Sequence, residues 1–186
     1  MIDTQINPIT QITEAMSSIY NTSIRSWIMS FMSHAPQAFW DRPASSTGKY
    51  HKEDENGKEG QVIHTLRVIA VAEHMVRMVD LNDLERDILI SAASLHDICK
   101  YGVEGNSDHT LSEHPQLVKS LWEKNLLVLP QCEYDKQIID TILQHSGRFG
   151  GLPLPTPTKL GKLLHIADFI SSRHNINVDL NKEMEY

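Results

Sequence analysis

The run LERDILISAASLHDICKYG, Leu84 to Gly102, decides how the chain is read. Leu84, Ile88, Ala92 and Leu95 recur three or four residues apart, the spacing of one face of an α-helix. Into this apolar run the sequence sets His96 beside Asp97, with Lys100 four residues after His96. A polar pair where leucine would pack carries a desolvation cost that something must offset. Asn82 or Asp83 can cap this helix, which is predicted to end near Lys100, before Gly102.

The same period extends in both directions. Upstream, Ile63, Leu66, Ile69, Ala70, Met75 and Val79 mark another helix. From Thr10 to Met32, Ile12, Met16, Ile19, Ile24, Trp27, Ile28 and Phe31 mark one helix or two short ones, with an imperfection near Asn21. Residues 34–60 lose the pattern and are rich in Pro, Gly, Ser and charge, which predicts a long loop. Downstream, Ser112 can cap a helix with Leu117, Val118, Leu121 and Trp122 on its buried side. Residues Asp135 to His145 form the next, and Leu160, Leu163, Leu164, Ala167 and Ile170 mark the last. Nothing alternates with period two for long enough to be a strand, so the expected fold is all-α, a helical bundle. Three segments are expected: an N-terminal helical extension (1–38), a main domain (39–174) and a polar C-terminal tail (175–186).

At 186 residues the chain suits one core. Its 17 basic and 24 acidic residues leave a net charge of −7, which gives no general attraction to nucleic acid or to an anionic membrane. A local site for a small anion remains open. Cys99 and Cys132 make neither a disulfide framework nor a CxxC metal site, and a reducing compartment is expected. No apolar run approaches the ~18 to 20 residues of a membrane span, so a soluble, cytoplasmic protein with no membrane partner is expected.

Ligand-type side chains recur near helix ends or on apolar flanks: His64, the pair His96 and Asp97, His114, His145, and Asp168. Two carboxylates buried among imidazoles call for a compensating cation. Neutral imidazole and carboxylate donors suit a divalent transition metal (Mn, Fe, Ni or Zn) better than magnesium or calcium. Four histidines and two aspartates can serve one or two ions, with Asp97 able to bridge. A water acidified by such an ion can attack phosphorus, and the Lys100 ammonium can hold a phosphate oxygen. Each residue also has a plain reading: a hydrogen-bonded core pair for His96 and Asp97, a surface imidazolium at a helix end for His145, an ordinary helix-terminal cation for Lys100. His109 lies close enough to substitute for His114. Arg148, His51 and Lys49 can edge a pocket or solvate loops, and His165 can support Asp168 from three residues away. His74, ten residues from His64, falls on another helix face, and Trp27, Trp40 and Trp122 read as packing.

The segments HTLRV, LHDICKYG, SEHPQLV, LQHSGRFGGLP and HIADFISSR resemble the successive motifs of the HD-domain metal-dependent phosphohydrolase superfamily. By that resemblance the family's core pattern falls on His64, His96, Asp97 and Asp168, and the two histidines added in two-metal members match His114 and His145. FWDRPASSTGKYH followed by GQVIHTLRV is similar to the entry into the HD domain of bacterial 3′→5′ exoribonucleases that carry an OB-fold. Cys99, however, stands where a glycine is usual after HDI, and no OB-fold strand pattern comes before it. The resemblance implies a phosphohydrolase that cleaves a phosphomonoester or phosphodiester of a nucleotide-type substrate. Asp97 and Lys100 would be its catalytic groups, with Lys100, Arg148 and His51 on the substrate. Small nucleotides or an RNA 3′ end would fit such a centre. A di-iron oxygenase on the same ligands and a non-catalytic nucleotide-binding domain are the alternatives.

Overall fold

The computed structural model describes residues 7–49, 51–147 and 156–176. Among them are eight α-helices: α1 (Pro8–Ser17), α2 (Thr22–Met32), α3 (Gln37–Asp41), α4 (Gly60–Met78), α5 (Asp83–Leu95), α6 (His114–Asn125), α7 (Asp135–Ile142) and α8 (Lys159–Ser171). The described residues contain no strand, as the periodicity predicts. No described helix is long and apolar enough to cross a membrane.

Two helices form the centre. Residues Asp87 to Leu95 of α5 are all buried, as is most of the first half of α4. A helix covered on every side loses its polar face, which is why these two read as near-continuous apolar runs. The rest of the bundle covers them: α8 packs along α4 and α5, α7 along α5 and α8, and α6 along α7. α1 lies against α4 and α5, and α2 lies against α5. Ile12, Trp27 and Phe31 of the N-terminal helices belong to the same apolar cluster as Leu89, Ile139 and Leu164. Each such side chain contributes roughly 1.5 to 3 kcal/mol by leaving water.

The imperfection near Asn21 is a break between two helices. The Asn21 side chain caps α2 by accepting from the Ser23 and Ile24 amides at 3.0 and 3.1 Å. The buried Asp87 carboxylate accepts from the Tyr20 and Asn21 amides at 3.1 and 2.7 Å, so α5 holds the corner in place. Asn82 caps α5 in a reciprocal box with Glu85.

Four expectations need correction. The α5 hydrogen-bond ladder stops at Leu95 rather than near Lys100. Short turns follow, with the Ile98, Lys100 and Gly102 amides bonded three residues back to Leu95, Asp97 and Cys99. Gly102 ends them at φ +94°, where a side chain would be strained. Ser112 does not cap α6. Glu113 holds that position without a side-chain bond to the helix start, and the Ser112 hydroxyl donates to the Glu113 carboxylate at 3.2 Å instead. α7 ends at Ile142, leaving His145 in the turn beyond it. The stretch predicted as loop also carries α3 and a 3₁₀ turn at Glu53–Glu55.

Candidate metal centre

The turns after α5 and α7, the start of α6, and the interiors of α4 and α8 aim their polar side chains at one point. The Asp97 carboxylate is its hub. Oδ1 lies 2.8 Å from His114 Nε2 and 3.5 Å from His145 Nε2. Oδ2 lies 3.4 Å from His96 Nε2, 3.7 Å from His64 Nε2 and 2.5 Å from Lys100 Nζ. Asp168 Oδ1, from α8, completes the far side at 3.1 Å from His64 Nε2 and 3.9 Å from His96 Nε2. His64 and His96 are fully buried, Asp97 is 2 % exposed and His145 1 %.

A repeated local device orients three of these rings. The Nδ1 atoms of His96, His114 and His145 lie 2.7, 2.6 and 2.7 Å from the carbonyls of Ala93, Leu111 and Ile142, each three residues upstream. A carbonyl only accepts, so Nδ1 carries the proton and Nε2 of the neutral ring is left as a bare acceptor. The His114 and His145 Nε2 atoms nevertheless face each other at 2.9 Å, with Asp97 Oδ1 beside both. Burial holds His114 below its ordinary pKa, which opposes settling the conflict with a second ring proton. His96 Nε2 is buried with no hydrogen-bond partner. Converging lone pairs with no hydrogen between them suit a cation, and the donors suit a divalent transition metal. Two overlapping groups have ligand atoms close enough to hold an ion: His64, His96 and Asp168, and His96, Asp97 and His145.

The charges follow the same geometry. Burial raises the cost of ionising Asp97, yet Lys100, His96 and His114 hold its carboxyl well below the usual range. Asp168 is likewise held low, against burial, by His64 and His96. His64 is pushed up to about 9: burial opposes the imidazolium, but the carboxylates of Asp168 and Glu55 outweigh it. Lys100 is desolvated too, yet Asp97 and Asp168 keep it charged. Its contact is with Asp97, because the tight turns after α5 bring it back three residues rather than along a helix face shared with His96.

The hydrogen bond that holds His64 runs from Nε2 to Asp168 at 3.1 Å, and on the other side of the ring stands a carboxylate that the sequence reading missed. His64 Nδ1 faces Glu55 Oε2 at 3.6 Å, and the same oxygen accepts from His51 Nδ1 at 2.6 Å. Glu55 is fully buried, and its other oxygen accepts from Arg67 of α4, whose second nitrogen donates to Asp54 at 2.6 Å. His51, Glu55 and His64 also lie close enough to hold an ion. Arg67 already neutralises that carboxylate, so the cluster serves to hold the His51 ring. Glu55 sits in KEDENGKEG, which reads as a solvated charge run. The available signals were its four-residue spacing from His51 and the presence of Arg67 in an apolar helix.

Gly60 makes this arrangement possible. A Cβ there would lie 2.0 Å from the Glu55 carbonyl oxygen. Gly60→Ala is therefore expected to push the Glu55 turn off α4 and lower stability by about 1 to 3 kcal/mol. A thermal melt should register this as a fall of roughly 3 to 10 °C.

The remaining candidates separate clearly. His51, Lys100 and His165 line a cavity of about 340 Å³ over the centre, together with Asp97, His145 and Asp168. His165 Nδ1 donates to the His145 carbonyl at 2.5 Å, so it braces the turn that carries His145. Gln144 joins the same turn to α8 by accepting from the Thr158 amide at 2.6 Å. Arg148 lies outside the described residues. His109 is exposed, and His74 takes no part in the cluster. Trp27 and Trp122 are buried as packing.

Comparison with curated proteins and with solved structures returns no match. The HD domain family model matches residues 62–172, more than half of the chain and the stretch that carries His64, His96, Asp97, His114, His145 and Asp168. On that match, the chain belongs to the HD domain family.

Proposed function

We propose that the chain is a metal-dependent phosphohydrolase acting on a phosphomonoester or phosphodiester of a nucleotide-type substrate. His64, His96, Asp97, His114, His145 and Asp168 would hold one or two divalent transition metal ions. The carrying observation is the set of bare Nε2 acceptors packed around Asp97, with His114 and His145 only 2.9 Å apart. When bound, such an ion supplies acidification of a water and withdrawal of charge from a phosphoryl oxygen.

The chain's own groups supply the rest. Lys100 lines the cavity and keeps its charge, so its ammonium can turn from Asp97 to a phosphate oxygen. Its neighbours there, Arg173 and Ser172, add a second cation and a hydroxyl donor to the same wall. His51 closes the edge with Nδ1 committed to Glu55, so the nitrogen it can offer a substrate is Nε2. These cations over a buried centre let a protein of net charge −7 take an anion locally.

Two measurements test the reading. Metal-loaded protein should release phosphate or a nucleoside monophosphate from a panel of mononucleotides, cyclic dinucleotides and short RNAs. Oxygen uptake by the iron-loaded protein without any such product would overturn the reading. Chelation should destabilise the fold, because an ion that binds only the folded state at 100 times its Kd contributes about 3 kcal/mol. The expected fall in Tm is roughly 5 to 10 °C, restored by manganese or iron but not by calcium.

A further inference from the structure

We propose that Phe169, paired with the guanidinium of Arg173, is the wall against which the substrate's nucleobase stacks. Phe169 follows Asp168 directly on α8 and lines the same cavity as Asp97 and Lys100. Phe169 is 47 % exposed, an apolar residue left bare in a cavity otherwise furnished with charged and hydrogen-bonding groups. Arg173 Cζ lies 4.1 Å from the ring centroid, a cation over one face of the ring, and Arg173 lines the same cavity. The Ser172 hydroxyl donates to the Phe169 carbonyl at 3.0 Å and anchors the end of α8.

Arginine over an aromatic ring is not in itself a ligand site. Arg86 lies over Tyr20 at 4.7 Å and Arg42 over Tyr101 at 5.2 Å, and none of these four residues lines the cavity. The Phe169 pair differs in its position. It also borders a second hollow, of about 480 Å³, lined by His174, Asn175 and Ile176. A substrate whose phosphate meets Lys100 thus has room to lay a planar group on Phe169 and to continue beyond Arg173. Stacking on an aromatic face accepts any base, so the wall selects for a base without selecting which one.

The inference rests on the reading of this cavity as a phosphate ester site, and binding and turnover are measured separately to keep the two apart. The probes are the 5′-monophosphate of 2-aminopurine riboside, whose fluorescence is quenched on stacking, and ribose 5-phosphate as its ring-free competitor. For the metal-loaded full chain, Phe169→Ala should lower the ratio of nucleotide to ribose phosphate affinity by about 10- to 100-fold and abolish the quenching. Phe169→Leu, which keeps apolar bulk, should behave like alanine, and Phe169→Trp should restore both signals. An unchanged ratio, a leucine variant that binds like the wild type, or no binding of the nucleotide to the wild type would each overturn the inference. The expected pattern in a protein that releases no phosphate would support the stacking wall and reject only hydrolysis.

Discussion

Asp97→Asn is expected to empty the centre of metal and to lower turnover by more than the ~10- to 100-fold that loss of an outer partner costs a metal site. One carboxylate touches all four imidazoles here, His114 and His145 through Oδ1 and His96 and His64 through Oδ2. An amide fills the same volume but removes the charge, and its N–H donors can satisfy the Nε2 atoms that otherwise await a cation. The fold should survive for the same reason. Metal content by elemental analysis, circular dichroism and phosphate release together check the expectation. A folded variant that keeps both its metal and its turnover would reject Asp97 as the hub.

Arg67→Met is expected to destabilise the protein by about 3 to 5 kcal/mol, because it leaves Glu55 as an uncompensated buried charge. Glu55 is fully buried, and its ordinary pKa of 4.5 is driven well down: burial resists ionisation, but His51, His64 and Arg67 overcome it. Such a group adds stability above pH 4.5 that disappears as pH falls toward its depressed value. Loss of Arg67 should therefore lower the melt most at neutral pH and flatten the acid limb. The double variant Arg67→Met with Glu55→Gln should recover much of the loss, since an apolar and neutral pair carries no stranded charge. Denaturant titrations of both singles and the double measure the coupling, and additive losses would show that the pair does not act as a unit.

Much of this was legible in the sequence. The three- and four-residue periods mark the long helices because each must hide an apolar face, and the buried first half of α4 and the buried later part of α5 are the most continuous runs. The six ligand-type residues stand out because carboxylates and imidazoles set among buried apolar positions carry a desolvation cost that calls for compensation. What escaped was set by tertiary contact. Glu55 looks solvated until α4 delivers Arg67 and His64 to it. The ladder of α5 stops early because the segment around Asp97 turns tightly, and the composition of ICKYG does not reveal this. Ser112 is a good cap by type, but its hydroxyl goes to the Glu113 side chain instead of the helix start.

His96, His114 and His145 take their bearing from the main chain at Ala93, Leu111 and Ile142. Those acceptors belong to the peptide bond, so no change of side chain at the three positions deletes them, and drift there leaves the rings aimed as they are. His64 has no such insurance. Its ring is held through Nε2 by Asp168 at 3.1 Å and only faces Glu55 at 3.6 Å, and one codon can remove either carboxylate, so the centre's tolerance of mutation is uneven and weakest at this ring.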